Sequence, residues 1–133
     1  MLECLIIGDS IAVGTKMFRP ECISYVQTGI TSQGWNKKFG SNDLKASSVI
    51  ISLSTNDWKT ADTYGMLMNI RTKLKSDRVY WVLPNEESKP EAAAHVKRVA
   101  EQFNDVVLNT TSWQKDKIHP TIAGYKSLGE RSK

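Results

Sequence analysis

The 133-residue chain carries a formal net charge of +4 and a sequence pI of about 9.1, with 40% hydrophobic and 24% charged residues. That is one domain's worth, residues 1–133, and a domain of this size needs no metal or disulfide to bury a core, while the composition excludes a disordered or low-complexity chain. The positive charge is spread over short groups (Lys37-Lys38, Lys73/Lys75/Arg78, Lys97-Arg98), which fits solvated helix faces and gives no reason to expect a specific nucleic-acid partner.

The first apolar run, Leu2–Ile7, is a predicted strand that begins almost at the first residue. No basic segment followed by an apolar run of signal-peptide length precedes it, and no stretch is long enough to span a membrane, so the expectation is a cytoplasmic protein. Gly8–Cys22 is the tightest crossover, and Pro20 limits any helix there. Ile23–Val26 is a second predicted strand, and Ser32–Phe39 a short candidate helix. Val49–Leu53 is the third strand. Thr63–Lys75 then places Leu67, Ile70 and Leu74 on one helical stripe. After the fourth strand, Val79–Leu83, Glu91–Phe103 sets Val96, Val99, Ala100 and Phe103 at helical spacing, with Pro90 suited to a first turn and Ser88 a candidate cap. Val106–Leu108 is the fifth strand. Pro120–Glu130 is a final helix with Ile122, Tyr125 and Leu128 expected inward.

The strands are short, rich in Val and Ile, and mostly unalternated, the pattern of strands buried on both faces of a parallel sheet. Strands alternating with helices imply right-handed crossovers. The fold class is therefore α/β: a three-layer α/β/α domain with a five-stranded parallel sheet. Cys4 and Cys22 sit near two strand starts, with no Cys-x-x-Cys spacing and no nearby histidine. Buried free thiols are expected, with no metal site and no cofactor.

In an open parallel sheet ligands meet the carboxyl ends of the strands. Those turns hold Gly8-Asp9-Ser10, Gln27-Thr28-Gly29, Ser54-Thr55-Asn56-Asp57, Pro84-Asn85-Glu86 and, before the last helix, Asp116-Lys117-Ile118-His119. Hydroxyl, amide, carboxylate and imidazole groups gather there, while the strands carry almost none. A serine hydroxyl needs a base to become a nucleophile. Of the two histidines, His95 falls inside an amphipathic helix and reads as a surface or boundary residue. His119 lies in a loop three residues after Asp116, a spacing that lets the carboxylate fix its tautomer. Singly, Ser10 also reads as a capping serine, Asn56-Asp57 as a turn, and Gly29 as a tight-turn glycine. Their common location at one sheet edge argues for a shared site.

Four segments in order resemble the SGNH (GDSL-like) hydrolase superfamily: Ile6-Ile7-Gly8-Asp9-Ser10, Tyr25-Val26-Gln27-Thr28-Gly29, Leu53-Ser54-Thr55-Asn56-Asp57, and Asp116-Lys117-Ile118-His119-Pro120-Thr121 running into Ala123-Gly124-Tyr125. The match spans Ile6 to Leu128. The resemblance implies a flavodoxin-like fold and a serine esterase, with Ser10 as nucleophile, His119 as base and Asp116 orienting the imidazole. It implies an oxyanion hole from the backbone N–H groups of Ser10 and Gly29 and the Asn56 amide, with Asp9 and Asp57 bracing loops. Ser54 stands where the family pattern has glycine, and a positive φ there would strain a serine.

The expected reaction is cleavage of a small ester, a short acyl or acetyl group on a sugar, glycan or lipid. Trp35, Trp58 and Trp113 fall in loops that suit a sugar-bearing substrate or, equally, in the core. A peptidoglycan-directed lytic hydrolase and a catalytically inactive binding module on the same fold are the alternatives. A small-molecule or glycan ester is the expected partner, and the chain is expected to be a monomer. The Gly-x-Ser-x-Gly elbow of α/β-hydrolases does not occur, since Ala12 takes the final position.

Overall fold

The structure, a computed structural model, describes residues 2–133 of the chain. Ten elements alternate along it: β1 (Leu2–Gly8), α1 (Ser10–Lys16), β2 (Ile23–Val26), α2 (Ser32–Phe39), β3 (Ala46–Ser52), α3 (Thr63–Lys73), β4 (Arg78–Val82), α4 (Pro90–Phe103), β5 (Val106–Leu108) and α5 (Ile122–Arg131). The strands form one sheet in the order β2-β1-β3-β4-β5, every pair parallel. β1 is flanked by β2 and β3, so the loop after β1 emerges between the loops after those two strands.

Alternate residues of β1 feed two separate cores, which is why the run is apolar throughout. Leu5 and Ile7 pack with Trp35, Leu67, Ile70, Val96 and Val99 of α2, α3 and α4 on one face. Cys4 and Ile6 pack with Ile11, Ala12 and Leu128 of α1 and α5 on the other. The result is the three-layer α/β/α arrangement. No helix of the described residues is long and apolar enough to cross a membrane.

Local chemistry explains where the elements depart from expectation. The segment after β1 does form a helix: the Asp9 side chain accepts the Ile11 N–H, and the seven-residue α1 ends before Pro20. β3 begins at Ala46, three residues before the first β-branched residue, because Ala46 and Ser48 pair with Leu2 and Cys4 of β1. α5 starts at Ile122, capped by Thr121, whose hydroxyl accepts the Gly124 N–H. Ile122 is 78% exposed rather than inward, while Leu128 is fully buried. Ser88 does not cap α4. The N-cap is Lys89, with no side-chain capping bond, and Pro90 opens the helix.

The cysteines are not free thiols. Cys4 and Cys22 form a disulfide, their Cα atoms 4.9 Å apart. The parallel register sets Leu5 against Ile23, which brings the preceding residues of the two strands together. The bond closes a loop of 18 residues in sequence separation, the stretch that contains Ser10.

Candidate active site

Gly8 ends β1 with φ +142, and a Cβ there would fall 1.9 Å from the Ser52 carbonyl oxygen. Only glycine allows this approach of β1 to β3. The chain then turns sharply: the Asp9 N–H donates to the Ser52 carbonyl at 2.9 Å. The Asp9 carboxylate is fully buried and accepts from the Ile11 N–H at 3.0 Å and from the Ser52 hydroxyl at 3.1 Å. Burial pushes its pKa up to about 6, against the opposing pull of those hydrogen bonds. Among the described residues its second oxygen has no hydrogen-bond partner. Asp9 thus caps α1 and fixes Ser10 as the first helical residue.

Ser10 Oγ lies 2.9 Å from His119 Nε2, and His119 Nδ1 lies 2.8 Å from Asp116 Oδ2. The structure therefore joins Ser10, His119 and Asp116 into one hydrogen-bonded chain across 109 residues of sequence. Asp116 is locked first by its own turn, since Oδ1 accepts the Ile118 N–H at 2.9 Å and the His119 N–H at 3.0 Å. The His119 N–H, then the His119 ring, then the Ile118 N–H hold its carboxyl down at about 2. A carboxylate at Nδ1 keeps the proton on that nitrogen and leaves Nε2 with a lone pair toward Ser10. The imidazole and carboxylate side chains are 35% and 42% exposed, so the site is an open cleft rather than a closed chamber.

The Asp116–His119 turn is tied down from the loop after β4. The Ser88 hydroxyl donates to the Lys117 carbonyl. The Lys117 ammonium meets Glu87 at 2.6 Å. Lys117 itself has φ 55, in the left-handed region.

Gly29 and Asn56 lie in the loops after β2 and β3, on either side of the loop carrying Ser10. Gly29 has φ +79, a conformation that favours glycine although no atom crowds its missing Cβ. Among the described residues, the backbone N–H groups of Ser10 and Gly29 have no acceptor. Asn56 Nδ2 donates to the Ile30 carbonyl at 3.1 Å and retains a second hydrogen. Asp57 accepts the Ser32 N–H at the start of α2 at 2.7 Å and the Thr63 hydroxyl at 2.7 Å. The loops after β2 and β3 are thus cross-braced beside Ser10. Ser54 has φ 90, so the serine in place of glycine sits in strained backbone.

Trp35, expected in a loop, lies within α2, fully buried, and donates to the Tyr25 carbonyl, while Trp58 is 78% exposed. Trp58 borders a cavity of about 210 Å³ between the Ser54–Lys59 loop and the start of α4. None of Ser10, His119 and Asp116 lines it. His95 does, a placement that helical periodicity alone did not reveal, because the facing wall belongs to another loop. Among the described residues, Cys4, Glu21 and Cys22 form the one cluster of metal-ligand type, and its two sulfurs are joined to each other.

Solved structures resemble this chain over nearly its whole length. A Bacteroides fragilis protein assigned as an acylhydrolase superposes with TM-score 0.69 at 16% identity, covering 96% of this chain and 83% of that one. The C-terminal catalytic domain of Streptococcus pneumoniae peptidoglycan O-acetyltransferase A, bearing a methylsulfonyl adduct, gives 0.63 at 17%, covering 97% and 89%. A two-domain esterase active on acetylated mannans, crystallised with mannopentaose, gives 0.61 at 17%, covering 97% of this chain and 47% of that one. No family model and no curated protein matches the sequence. The chain shares its fold, a five-stranded all-parallel sheet between helices, with these three proteins.

Proposed function

We propose that the protein is a serine esterase that removes a short acyl group, acetyl above all, from a glycan or another small alcohol. The hydrogen-bonded chain from Ser10 through His119 to Asp116 carries this reading. Ser10 Oγ attacks the acyl carbon while its proton passes to His119 Nε2. The tetrahedral oxyanion is met by the N–H groups of Ser10 and Gly29 and by the free hydrogen of Asn56 Nδ2. Collapse breaks the ester C–O bond, and His119 returns the proton to the leaving alcohol. Water then adds to the acyl-enzyme, His119 takes its proton, and the carboxylic acid leaves as Ser10 is reprotonated.

Asp116 holds the imidazole in the required tautomer and balances its charge. Each donor to the oxyanion is typically worth ~10²–10³ in rate. The neighbours that act on acetylated mannan or transfer acetyl to peptidoglycan support an acetyl group on a sugar as the substrate class. The assembled residues favour an enzyme over an inactive binding module. The Cys4–Cys22 disulfide favours an oxidising compartment over the cytoplasm.

The test is hydrolysis of 4-nitrophenyl acetate by the wild type beside Ser10→Ala and His119→Ala. Both variants should fall to a common residual rate, because the two residues act as a unit. An inactive wild type that also resists a sulfonyl fluoride would end the reading.

A further inference from the structure

We infer that the seat of α5 on α1, with Gly14 beneath the Tyr125 ring and Gly129 beneath Phe18, sets the distance between Ser10 and His119. Gly14 and Tyr125 are then positioning residues for the reaction. This rests on the esterase reading and adds to it two residues that act through others.

Ser10 and His119 are fixed from different sides. Ser10 opens α1, and the Asp9 N–H before it is bonded to the Ser52 carbonyl of β3, so its place is set by the sheet. The place of His119 is set by α5. Its carbonyl accepts the Gln114 N–H at 2.8 Å, and the Thr121 N–H donates to the Ser112 carbonyl at 3.1 Å. The Thr121 hydroxyl in turn caps α5, accepting the Gly124 N–H at 3.2 Å. The loop that carries the imidazole and the start of α5 therefore move as one piece. Among the described elements, α5 packs most closely on α1. A shift of α5 against α1 is a shift of His119 against Ser10.

The two helices meet at two glycines, one on each. A Cβ on Gly14 would stand 2.3 Å from Cε1 and Cζ of Tyr125. A Cβ on Gly129 would stand 2.9 Å from the Phe18 Cβ and 3.3 Å from the Phe18 carbonyl oxygen. Both glycines are buried within helices, where glycine is the poorest former after proline. The close approach is what these positions provide. The register is regular: Ser10, Gly14 and Phe18 follow one another at four-residue steps, and so do Thr121, Tyr125 and Gly129. Each step is about one helical turn. Ser10 therefore lies one turn before the Gly14–Tyr125 contact on one chain segment, and Thr121, two residues after His119, lies one turn before it on the other.

The seat is held at both ends. The Tyr125 ring packs against the buried cluster that holds Ile6, Ile11 and Leu128, which limits how far it can move aside. An added methyl at Gly14 therefore displaces α5 and not the ring alone. Beyond Gly129, the buried Arg19 guanidinium donates to Ser132 Oγ at 3.0 Å. Burial, then the carboxylates of Asp9 and Asp116, push the Tyr125 phenol up to about 12. The phenol thus stays neutral, in the field of both the residue before Ser10 and the one that orients His119.

The experiment compares Gly14→Ala, Tyr125→Phe, Tyr125→Leu, the double variant Gly14→Ala/Tyr125→Leu, and Val99→Ala, a core truncation on the opposite face of the sheet. Each is assayed on 4-nitrophenyl acetate at a temperature where urea titration shows it folded, and nitrogen NMR follows the His119 ring. Gly14→Ala should lower kcat about a hundredfold, the cost of a displacement of about 1 Å at the reacting atoms. KM should change little, and the Nε2 shift should move. Tyr125→Phe keeps the ring and should leave kcat unchanged. In the double variant leucine vacates the space that the methyl needs, so kcat should recover about tenfold over Gly14→Ala. Val99→Ala should lower the urea midpoint and leave both kcat and the Nε2 shift alone.

Wild-type kcat in a folded Gly14→Ala overturns the inference, as does an equal loss in the double variant or in Val99→Ala. A defect in Tyr125→Phe as large as that in Tyr125→Leu assigns the effect to the hydroxyl and overturns it too. If Gly14→Ala does not fold, Tyr125→Leu decides: kcat about tenfold lower at unchanged KM supports the seat, and wild-type kcat rejects it. An inactive wild type removes the esterase reading itself. The Nε2 shift still tests the seat in that case, since a shift unmoved by Gly14→Ala or Tyr125→Leu rejects it and a moved one supports it.

Discussion

Asn56 Nδ2 donates to the carbonyl of Ile30, at 3.1 Å, and so fastens the loop after β3 to the residue immediately following Gly29. One side chain therefore keeps a second amide hydrogen free and ties together the two loops that flank the Ser10 loop. Asn56→Ala should lower kcat for an acetyl ester by ~10²–10³, the loss of one donor, and should also disturb Gly29. The check is kcat and KM for 4-nitrophenyl acetate together with the amide shift of Gly29. A variant with unchanged kcat would remove Asn56 from the reaction.

Asp116 keeps its charge down to about pH 2, held by the His119 N–H, the His119 ring and the Ile118 N–H. Protonation of Asp116 therefore adds no inflection of its own to the pH–rate profile above that value. The acid limb of log kcat/KM against pH should have a slope of one. Asp116→Asn should cost ~10²–10⁴ in kcat/KM. A second acid inflection in the wild type that Asp116→Asn abolishes would show that the carboxyl is not held down.

Ser54 is held at φ 90, where a side chain is unfavourable. Ser54→Gly relieves strain worth about 1–3 kcal/mol, offset by the looser unfolded chain of glycine and by loss of a long hydrogen bond to the Ala92 carbonyl, 3.4 Å. The net expectation is a gain of about 1 kcal/mol and a higher Tm. Ser54→Ala, which keeps the strain, should show no such gain. Equal melting temperatures for all three proteins would contradict the account.

Asp9 has its folded pKa raised from 3.8 to about 6. Between those values the native state holds a proton that the unfolded chain has released, so stability falls as pH rises through the window. The loss is complete above the folded value and amounts to about 3 kcal/mol. Asp9→Asn keeps the acceptor for Ile11 and Ser52 but has no charge to bury. Urea unfolding should show the variant gaining on the wild type from pH 4 to pH 7, with no further gain beyond. A pH-independent difference would place the proton elsewhere.

The Cys4–Cys22 bond restrains the unfolded chain over the segment that includes α1. Replacing both residues with alanine should lower the free energy of unfolding by about 3 kcal/mol. Denaturant titration measures it, and a loss under 1 kcal/mol would show that the reduced chain is already restrained there.

Much of this arrangement was legible in the residues. Unalternated apolar runs marked strands buried twice over, and polar residues just after them marked the cleft edge, which is how Ser10, Asn56 and His119 could be grouped. What escaped depended on register or on a neighbouring loop. Cys4 meets Cys22 only once β1 and β2 are aligned, and nothing in an 18-residue spacing announces that. His95 reads as a boundary residue on its own helix and becomes a cavity wall only when the Thr55–Trp58 loop folds against it. Ser88 lies where a cap is expected but reaches Lys117 instead. Trp35 and Trp58 look alike in sequence, and only packing separates a core ring from an exposed one.

The sheet is bordered by its two shortest strands, β2 with four residues and β5 with three. Such brief borders offer little unpaired backbone for a foreign strand to join, even though Ile23 and Val106 show apolar surface there. Adhesion by strand addition is therefore poorly supported, and partners have to approach across loops or helix faces. Lengthening either border strand by a few alternating residues would recreate a sticky edge, and with it a route to aggregation that the present fold avoids.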